Sequence, residues 1–350
     1  MLQSLSFQNG EFMLDIIYLL IGLALLVKGS DIFVDAASEI AKRFGVSEMI
    51  IGLTLVAFAT SLPEWAAGLI AALRDDPELL KALAIKGETT TDLALGNVIG
   101  SNITNIGLVL GVCGLIVKGG LKVKSDFLQR EIPLLIILSC LTWFFSLKDD
   151  SLNSGEGTIL FGIFIVVLFK TLKGISKEKV DKTPNSEEDS DAEEAMADAS
   201  NFKLTVFTIG GLIALLIGST LLVEGASNIA ISIGIKERIV GLTIVAFGTS
   251  VPELATSITA AKRGKHAMLL GGVLGSNAAN LAVVLGTIAM LVPVSVDSSF
   301  IEFQFPVMLG FLFALSVFML GGKITRWQSG LFLIGYLAFT ASLFMPQFGV

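Results

Sequence analysis

Two glutamates lie in apolar stretches of this 350-residue chain, and each directly follows a proline. Glu64 ends the stretch GLTLVAFATSLPE at residues 52–64, and Glu253 ends the closely similar GLTIVAFGTSVPE at residues 241–253. A carboxylate inside a hydrophobic membrane span is energetically costly unless another group stabilises it. Because the chain makes this costly placement twice, the sequence predicts a single site that is assembled from two halves of the chain.

Oxygen atoms surround each glutamate in these stretches. Thr60 and Ser61 precede Glu64 by four and three residues, so a helix places all three side chains on one face. Pro63 has no amide hydrogen, which leaves the carbonyl of Ala59 without its helical partner and bends the segment. In a membrane such a carbonyl needs another partner or a polar cavity. The second stretch repeats the arrangement with Thr249, Ser250, Pro252 and the carbonyl of Gly248.

A second pair of similar segments adds hydroxyl and amide oxygens. The two segments are GNVIGSNITNIGLVLG (96–111) and GGVLGSNAANLAVVLG (271–286). Each contains a serine and an asparagine one turn apart, which are Ser101 with Asn105 and Ser276 with Asn280. None of the four segments contains Cys, His or Met, so soft metal ligands are missing. Hard oxygen ligands suit Ca²⁺, which takes about 6–8 of them in irregular geometry, and we expect Na⁺ to accept the same ligands.

The charge of the four segments also fits these ions. Glu64 and Glu253 are their charged residues, and together they contribute −2 when ionised. One Ca²⁺ neutralises that charge, as do two Na⁺, whereas a third Na⁺ leaves a net positive charge. Two ions that suit the same ligands can compete for one site, and competition is the minimum that exchange requires.

The elements that must position these groups are membrane-spanning helices. The chain is 53% hydrophobic and 16% charged, with a mean hydropathy of +0.80, whereas soluble domains contain about 25% charged residues. We predict an all-α polytopic membrane protein with ten spans of roughly the ~20 residues that cross a bilayer. The spans are predicted at 13–34, 47–73, 92–117, 129–147, 157–173, 202–230, 236–261, 267–292, 301–321 and 328–346. An acidic segment at 175–201, typical of a solvated linker, separates a five-helix half at 1–174 from a second at 202–350.

The distribution of lysine and arginine predicts the orientation of the spans. With the N-terminus outside, the cytoplasmic loops hold 17 of these residues and the outer loops hold 6. Because positively charged loops stay in the cytoplasm, we expect both termini to be extracellular and the central linker to be cytoplasmic. Lys28, Asp31 and Asp35 lie at helical spacing in or near the first span, where they could form a buried pair or gate, or Lys28 could extend to the interface.

The two halves are internal repeats. Residues 34–74 align with 223–263 without a gap at an offset of 189, and 96–111 align with 271–286 at an offset of 175. The first half therefore contains 14 additional residues between its two segments. Because five spans separate equivalent helices, the repeats insert into the membrane with opposite orientation. Inverted repeats with interrupted helices are typical of alternating-access transporters with a site near the midplane.

The two TS-x-PE segments, each followed by a G-x-x-x-GSN-x-x-N segment, resemble the alpha repeats of the cation/calcium exchanger superfamily. Within it the chain is most similar to prokaryotic sodium/calcium exchangers with a short central loop. The resemblance implies a ten-helix fold in which helices 2, 3, 7 and 8 surround the ions while helices 1 and 6 slide past the rest.

The same resemblance implies roles for individual residues. Glu64 and Glu253 ligate Ca²⁺, assisted by the carbonyls of Thr60 and Thr249. The positions that match sodium ligands are Ala57, Ser61, Ser101, Ala246, Ser250 and Ser276, the alanines acting through their carbonyls. Asn280 stands where many relatives have an aspartate; with Asn105 it makes the site more symmetric and poorer in charge, which leaves the ion stoichiometry open.

These observations predict a secondary-active antiporter that exports Ca²⁺ in exchange for Na⁺ across the plasma membrane of a prokaryote. Two alternatives stay open, a Ca²⁺/H⁺ antiporter and a cation channel. Proton-coupled members of the superfamily tend to carry an additional acidic residue where this chain has Ser101-Asn102 and Ser276-Asn277. No glycine loop is followed by the Lys-Ser/Thr that cradles phosphates, which argues against an ATP-driven pump. We expect the lipid bilayer and the two ions as partners, and no catalytic residue, cofactor, nucleotide or nucleic acid.

Overall fold

The computed structural model is an assembly of helices together with two short strand pairs. It describes residues 2–73, 92–124, 127–149, 151–174, 196, 198–234 and 246–344. Most of the region with the 14-residue insertion lies outside the described residues, as do the acidic cluster of the linker and the first five residues of the 241–253 segment.

Ten helices follow one another along the described chain, and several consist of consecutive pieces. They are α1 (Leu2–Phe44), α2 (Glu48–Ile51, Gly52–Val56, Ala57–Thr60 and Leu62–Leu73), α3 (Asp92–Thr104, Asn105–Val109 and Leu110–Ile116), α4 (Phe127–Glu131 and Ile132–Asp149), α5 (Ser154–Gly174), α6 (Asn201–Ser232), α7 (Ala246–Gly248 and Val251–Lys262), α8 (His266–Ala279, Asn280–Val284 and Leu285–Leu291), α9 (Phe300–Gln304 and Phe305–Met319) and α10 (Arg326–Ser342). Seven of them (α1, α2, α3, α4, α6, α8 and α9) are long and apolar enough in their described parts to cross a membrane, and α5 contains a shorter apolar stretch. The predicted all-α, ten-helix architecture is confirmed.

The first helix is longer than predicted, because α1 ends at Phe44 and not near residue 34. Hydropathy detects only the apolar part of a helix. Residues 35–44 continue the helix, but most of their side chains are charged or small. The extension holds the end of the linker: the Arg43 guanidinium donates hydrogen bonds to the carbonyl of Ala199 at 2.6 Å and to Oδ1 of Asn201 at 2.7 Å. It also pairs with Glu39 one turn earlier, at 2.8 Å. The start of α6 is therefore attached to the end of α1.

Helices α1 and α6 run antiparallel with their backbones in close contact. A Cβ atom at Gly22 would lie 2.8 Å from the carbonyl oxygen of Gly218, and one at Gly218 would lie 2.9 Å from that of Gly22. Gly29 and Gly211 meet in the same reciprocal way, at 3.0 Å each. Small residues allow such an approach in membrane helices. Gly22 in the first repeat corresponds to Gly211 in the second, and Gly29 corresponds to Gly218. The contact between the two helices therefore has two-fold pseudosymmetry.

Two strand pairs connect the halves at their loops. β1 (Leu121–Lys122) pairs antiparallel with β4 (Lys323–Ile324), and β2 (Ser151–Leu152) pairs antiparallel with β3 (Val294–Ser295). The first pair joins the loops that follow α3 and α9, and the second joins those that follow α4 and α8. Each pair therefore unites two loops that the charge distribution places on the same side of the membrane.

Helices α2 and α8 come from different halves and also meet backbone to backbone. A Cβ atom at Gly271 would lie 2.5 Å from the carbonyl oxygen of Met49, and one at Gly52 would lie 2.9 Å from the amide nitrogen of Gly272. Most of α8 is buried among the other helices. We call this contact the α2–α8 seam, and the candidate site lies next to it.

Candidate ion-binding site

Helices α2 and α7 are interrupted at equivalent serines. Ser61 has φ −82° and ψ 3°, and Ser250 has φ −88° and ψ 5°. The interruption follows from the prolines two residues later, which cannot donate the next helical hydrogen bonds. In the second half the carbonyl that loses its partner, that of Gly248, accepts a hydrogen bond from the Ser219 hydroxyl of α6 at 2.7 Å. The predicted kinks are thus present, and one freed carbonyl has found a partner on another helix.

Glu64 lies where three helices from both halves meet. Its carboxylate is fully buried, and its Oε1 atom accepts hydrogen bonds of 3.4 Å from the hydroxyls of Ser101 and Ser250. These two serines are 3.3 Å apart. The structure therefore brings together α2, α3 and α7 around one carboxylate, as the repeat argument predicts.

Glu253 is buried on the other side of the interruption, beside a cavity. The cavity is small and is lined in part by Glu253, Thr60 and Ser276. The hydroxyls of Thr60 and Ser276 are 3.5 Å apart, and the Ser276 hydroxyl donates to the carbonyl of Ala57 at 3.4 Å. The backbone carbonyl of Ala57 therefore lies next to the hydroxyl of Ser276, and it is the backbone of Ala57 that supplies an oxygen atom here.

Four asparagines link α3 to α8 in a pseudosymmetric network. Nδ2 of Asn105 donates to Oδ1 of Asn277 at 2.9 Å, and Nδ2 of Asn280 donates to Oδ1 of Asn102 at 3.3 Å. Asn102 and Asn277 in turn donate to each other's backbone carbonyls, at 3.4 Å and 3.3 Å. A π-helical turn starts at Asn105 and another at Asn280, and such turns are frequent at functional sites.

Several buried oxygens of the predicted site lack a hydrogen-bond partner within the described part of the chain. They are Oε2 of Glu64, Oε1 and Oε2 of Glu253, Oγ of Ser61, and Oδ1 of Asn105 and Asn280. Buried polar atoms in native proteins are normally paired, and an unpaired buried carboxylate is especially costly. All of these atoms can act as acceptors, so each is available to a cation or to water.

Sequence reasoning missed Asn97, which contacts the site from α3. Nδ2 of Asn97 donates to the backbone carbonyl of Glu64 at 3.0 Å, and its Oδ1 accepts from the Thr249 hydroxyl at 3.3 Å. Comparing the repeats gave no signal for Asn97, because its equivalent is Gly272. Ala246 lies in the last piece of α7 before the interruption, and its side chain is outside the described residues.

Ion pairs hold α1 against the residues that directly follow α7. The Arg263 guanidinium lies 2.9 Å from the buried Asp35 carboxylate and 3.7 Å from that of Asp31, and the Lys265 ammonium lies 3.9 Å from Asp35. The Ser30 hydroxyl adds a hydrogen bond of 2.8 Å to that of Thr259. Asp35 is therefore part of a buried pair, but its partner is Arg263 and not Lys28, which is exposed.

The structure thus contains two repeats, each with a broken helix that carries a buried glutamate next to its interruption. Inverted repeats with broken helices are typical of secondary transporters. The comparisons with known proteins identify the group. Residues 14–173 and 203–345 match the family described as sodium/calcium exchanger protein, and the chain belongs to this family. It is 33% identical to the sodium/calcium exchanger MaX1 of Methanosarcina acetivorans, over 93% of this chain and 97% of that protein. It is 31% identical to the inner membrane protein YrbG of Escherichia coli, over 93% of this chain and 95% of YrbG.

The fold agrees with this assignment. The structure of the sodium-calcium exchanger NCX_Mj soaked with Na⁺ and Sr²⁺ matches with a TM-score of 0.77 and 33% identity, covering 95% of this chain and 99% of that one. The protein is thus a multi-pass membrane protein of the sodium/calcium exchanger family, and its relatives with named activities are transporters.

Proposed function

We propose that the protein is a secondary-active antiporter that exports Ca²⁺ in exchange for Na⁺ by alternating access. The observation that carries the proposal is the group of unpaired buried oxygens, because it includes carboxylates from both repeats. Glu64 and Glu253 supply two negative charges. The proposed ligands around them are all oxygen atoms, and they include no histidine or cysteine side chain. Such a site suits a hard divalent cation, and competition by Na⁺ supplies the coupling.

The proposed ligands of the ions are the residues around the two interruptions. Glu64 and Glu253 bind Ca²⁺ together with the carbonyls of Thr60 and Thr249. The remaining proposed donors are Ser61, Ser101, Ser250, Ser276, Asn105 and Asn280 through their side chains, and Ala57 and Ala246 through their carbonyls. Because the donors come from four helices of both halves, a small relative movement of the helices changes the coordination of the ion.

The contacts of α1 support a state in which this helix closes the cytoplasmic side of the site. In the first repeat, Asp35 of α1 is buried and paired with Arg263 at the cytoplasmic end predicted for α7. The equivalent residue in α6, Glu224, is exposed. If α1 closes the inner side as these contacts indicate, α6 would close the outer side in the alternate state, through equivalent positions.

The proposed location is the plasma membrane, with both termini outside and the central linker in the cytoplasm. The excess of lysine and arginine in the proposed cytoplasmic loops supports this orientation. A reactive cysteine introduced at Gly322, in the loop before α10, tests it: a membrane-impermeant thiol reagent should label this residue only from the cytoplasmic side.

The central experiment is ⁴⁵Ca uptake into proteoliposomes that are loaded with Na⁺ or with choline. Uptake is expected only against internal Na⁺, and Glu64→Gln or Glu253→Gln should abolish it, since each removes one of the two charges. Glu302→Gln is the matched control, because Glu302 is an exposed carboxylate in α9. Uptake that follows an imposed pH gradient and ignores Na⁺ would favour Ca²⁺/H⁺ antiport, and uptake with no counter-ion at all would favour a channel.

A further inference from the structure

Asn97 bridges the two interrupted helices on one side of the site. Its amide nitrogen contacts the carbonyl of Glu64 in α2, and its amide oxygen contacts the hydroxyl of Thr249 in α7. Glu64 follows the break in α2, whereas Thr249 lies at the start of the break in α7. In the proposed orientation both are on the extracellular side of the site, so one side chain of α3 connects the outer ends of both breaks.

On the other side of the site, the described residues form no such bridge. The equivalent of Asn97 is Gly272, and the equivalents of its two partners are Glu253 and Thr60. These three residues line the cavity beside Glu253, so the position that corresponds to the Asn97 side chain borders this cavity. Among the described residues, a Cβ atom at Gly272 would meet only Cγ1 of Val56 within 4 Å, at an ordinary contact distance of 3.5 Å.

The backbone carbonyl of Glu253 is satisfied locally and not by a bridge. The hydroxyl of Thr256, in the same helix, lies 3.1 Å from it and 2.9 Å from the carbonyl of Pro252, so its hydrogen is shared between these two carbonyls. The equivalent of Thr256 in the first repeat is Ala67, which has no hydroxyl. The repeats therefore exchange two features: one has an asparagine that connects helices, and the other has a threonine that completes its own helix.

We infer that Asn97 is a positioning residue that holds the outer wall of the site together, and that the inner wall lacks this support. This inference rests on the proposed exchange function. The bridge matters most when α6 is withdrawn from the outer wall, since α2 and α7 then depend on it for their relative position. When α1 is withdrawn from the inner wall, no equivalent bridge remains. Ion binding from the two sides should consequently respond differently to changes at these positions.

Side-specific kinetics test this inference in right-side-out and inside-out membrane vesicles. Asn97→Gly should raise the apparent KM for Ca²⁺ at the extracellular face about tenfold, the amount expected for one to two neutral hydrogen bonds. The KM at the cytoplasmic face should change less than about twofold, because the inner wall does not use the bridge. An equal rise of KM at both faces, or a fall in maximal rate with both KM values unchanged, would overturn the inference.

Two further variants separate bridging from simple satisfaction of a carbonyl. Asn97→Gly combined with Ala67→Thr supplies the Glu64 carbonyl with the local hydroxyl that Glu253 has, but without a connection to α7. It should leave the extracellular KM high; recovery of the wild-type KM would show that Asn97 only satisfies a carbonyl. Gly272→Asn should lower the cytoplasmic KM about fivefold to tenfold by adding the missing bridge, and no decrease would also contradict the inference.

Failure of the inference is distinguishable from failure of the proposed function. The wild-type protein must first show Na⁺-dependent Ca²⁺ flux in both vesicle preparations. Absence of this flux would refute the antiporter, whereas normal wild-type flux with side-independent effects of Asn97→Gly would refute the bridge alone. Gly272→Asn keeps the existing Asn97 contacts, so it remains informative if removal of Asn97 prevents folding.

Discussion

Substitution of Gly271 by alanine should separate the two helices of the α2–α8 seam and disable the site. The new Cβ would lie 2.5 Å from the carbonyl oxygen of Met49 and 3.1 Å from the amide nitrogen of Leu53. Both neighbours are backbone atoms, which cannot rotate away as a flexible side chain can. Because ordinary contact begins at 3.4 Å, the helices must move apart by about 0.9 Å, the difference between 3.4 and 2.5 Å.

That displacement is large in comparison with the contacts of the site. The hydroxyls of Thr60 and Ser276 are already 3.5 Å apart, and the Ser276 hydroxyl lies 3.4 Å from the carbonyl of Ala57. An increase of about 0.9 Å takes both contacts beyond 4 Å, which is outside the range of hydrogen bonds. In preorganised sites a misplacement of about 1 Å costs about two orders of magnitude. We therefore expect the ratio of maximal rate to KM for Ca²⁺ to fall about 100-fold.

The assay is Na⁺-dependent ⁴⁵Ca uptake over a range of Ca²⁺ concentrations, with thermal unfolding of the purified protein measured in parallel. Gly310→Ala is the matched control, because a Cβ there meets no described atom within 4 Å, and it should behave as the wild type. A folded Gly271→Ala protein with unchanged KM and maximal rate would refute the argument that backbone contact at the seam fixes the site.

Two other substitutions have directions that follow from single contacts. Ser219→Ala removes the donor to the buried carbonyl of Gly248 and should lower the free energy of unfolding by about 1–3 kcal/mol. Ser316→Ala is the control, because the half-buried Ser316 hydroxyl donates to a carbonyl of its own helix, and it should have a smaller effect. Equal effects of the two substitutions would contradict the importance of the Ser219 contact. Arg263→Gln leaves Asp35 without its closest cation, so the inner side should open more often. A cysteine at position 257, which lines the inner cavity, should then react faster with a cytoplasmic thiol reagent, and an unchanged rate would contradict the proposed closure.

The sequence was sufficient to predict the helices and their interruptions. Apolar length identified the spans, and the prolines after Ser61 and Ser250 marked the breaks, because a missing amide hydrogen disrupts a helix wherever it occurs. Duplication of both motifs then indicated that Glu64 and Glu253 belong to one site. Their actual roles in ion binding stay a prediction.

Contacts between distant segments could not be predicted in the same way. The partner of Asp35 proved to be Arg263, which is far away in the chain, while the nearby Lys28 is exposed. Asn97 escaped notice because a comparison of repeats finds only what both repeats share, and its equivalent is a glycine. The extension of α1 to Phe44 was missed because hydropathy reports burial in lipid and not helix formation.

The crossed strand pairs have a consequence for how the two halves depend on each other. Within the described parts of the chain β1 pairs with β4 and β2 pairs with β3, so neither half completes its own strands. A single half inserted alone would leave these strand edges and the glycine surface of its first helix uncovered. A second copy inserted upside down would cover them all at once. Each half of the chain therefore serves as the template that completes the other, and neither is a complete structural unit by itself.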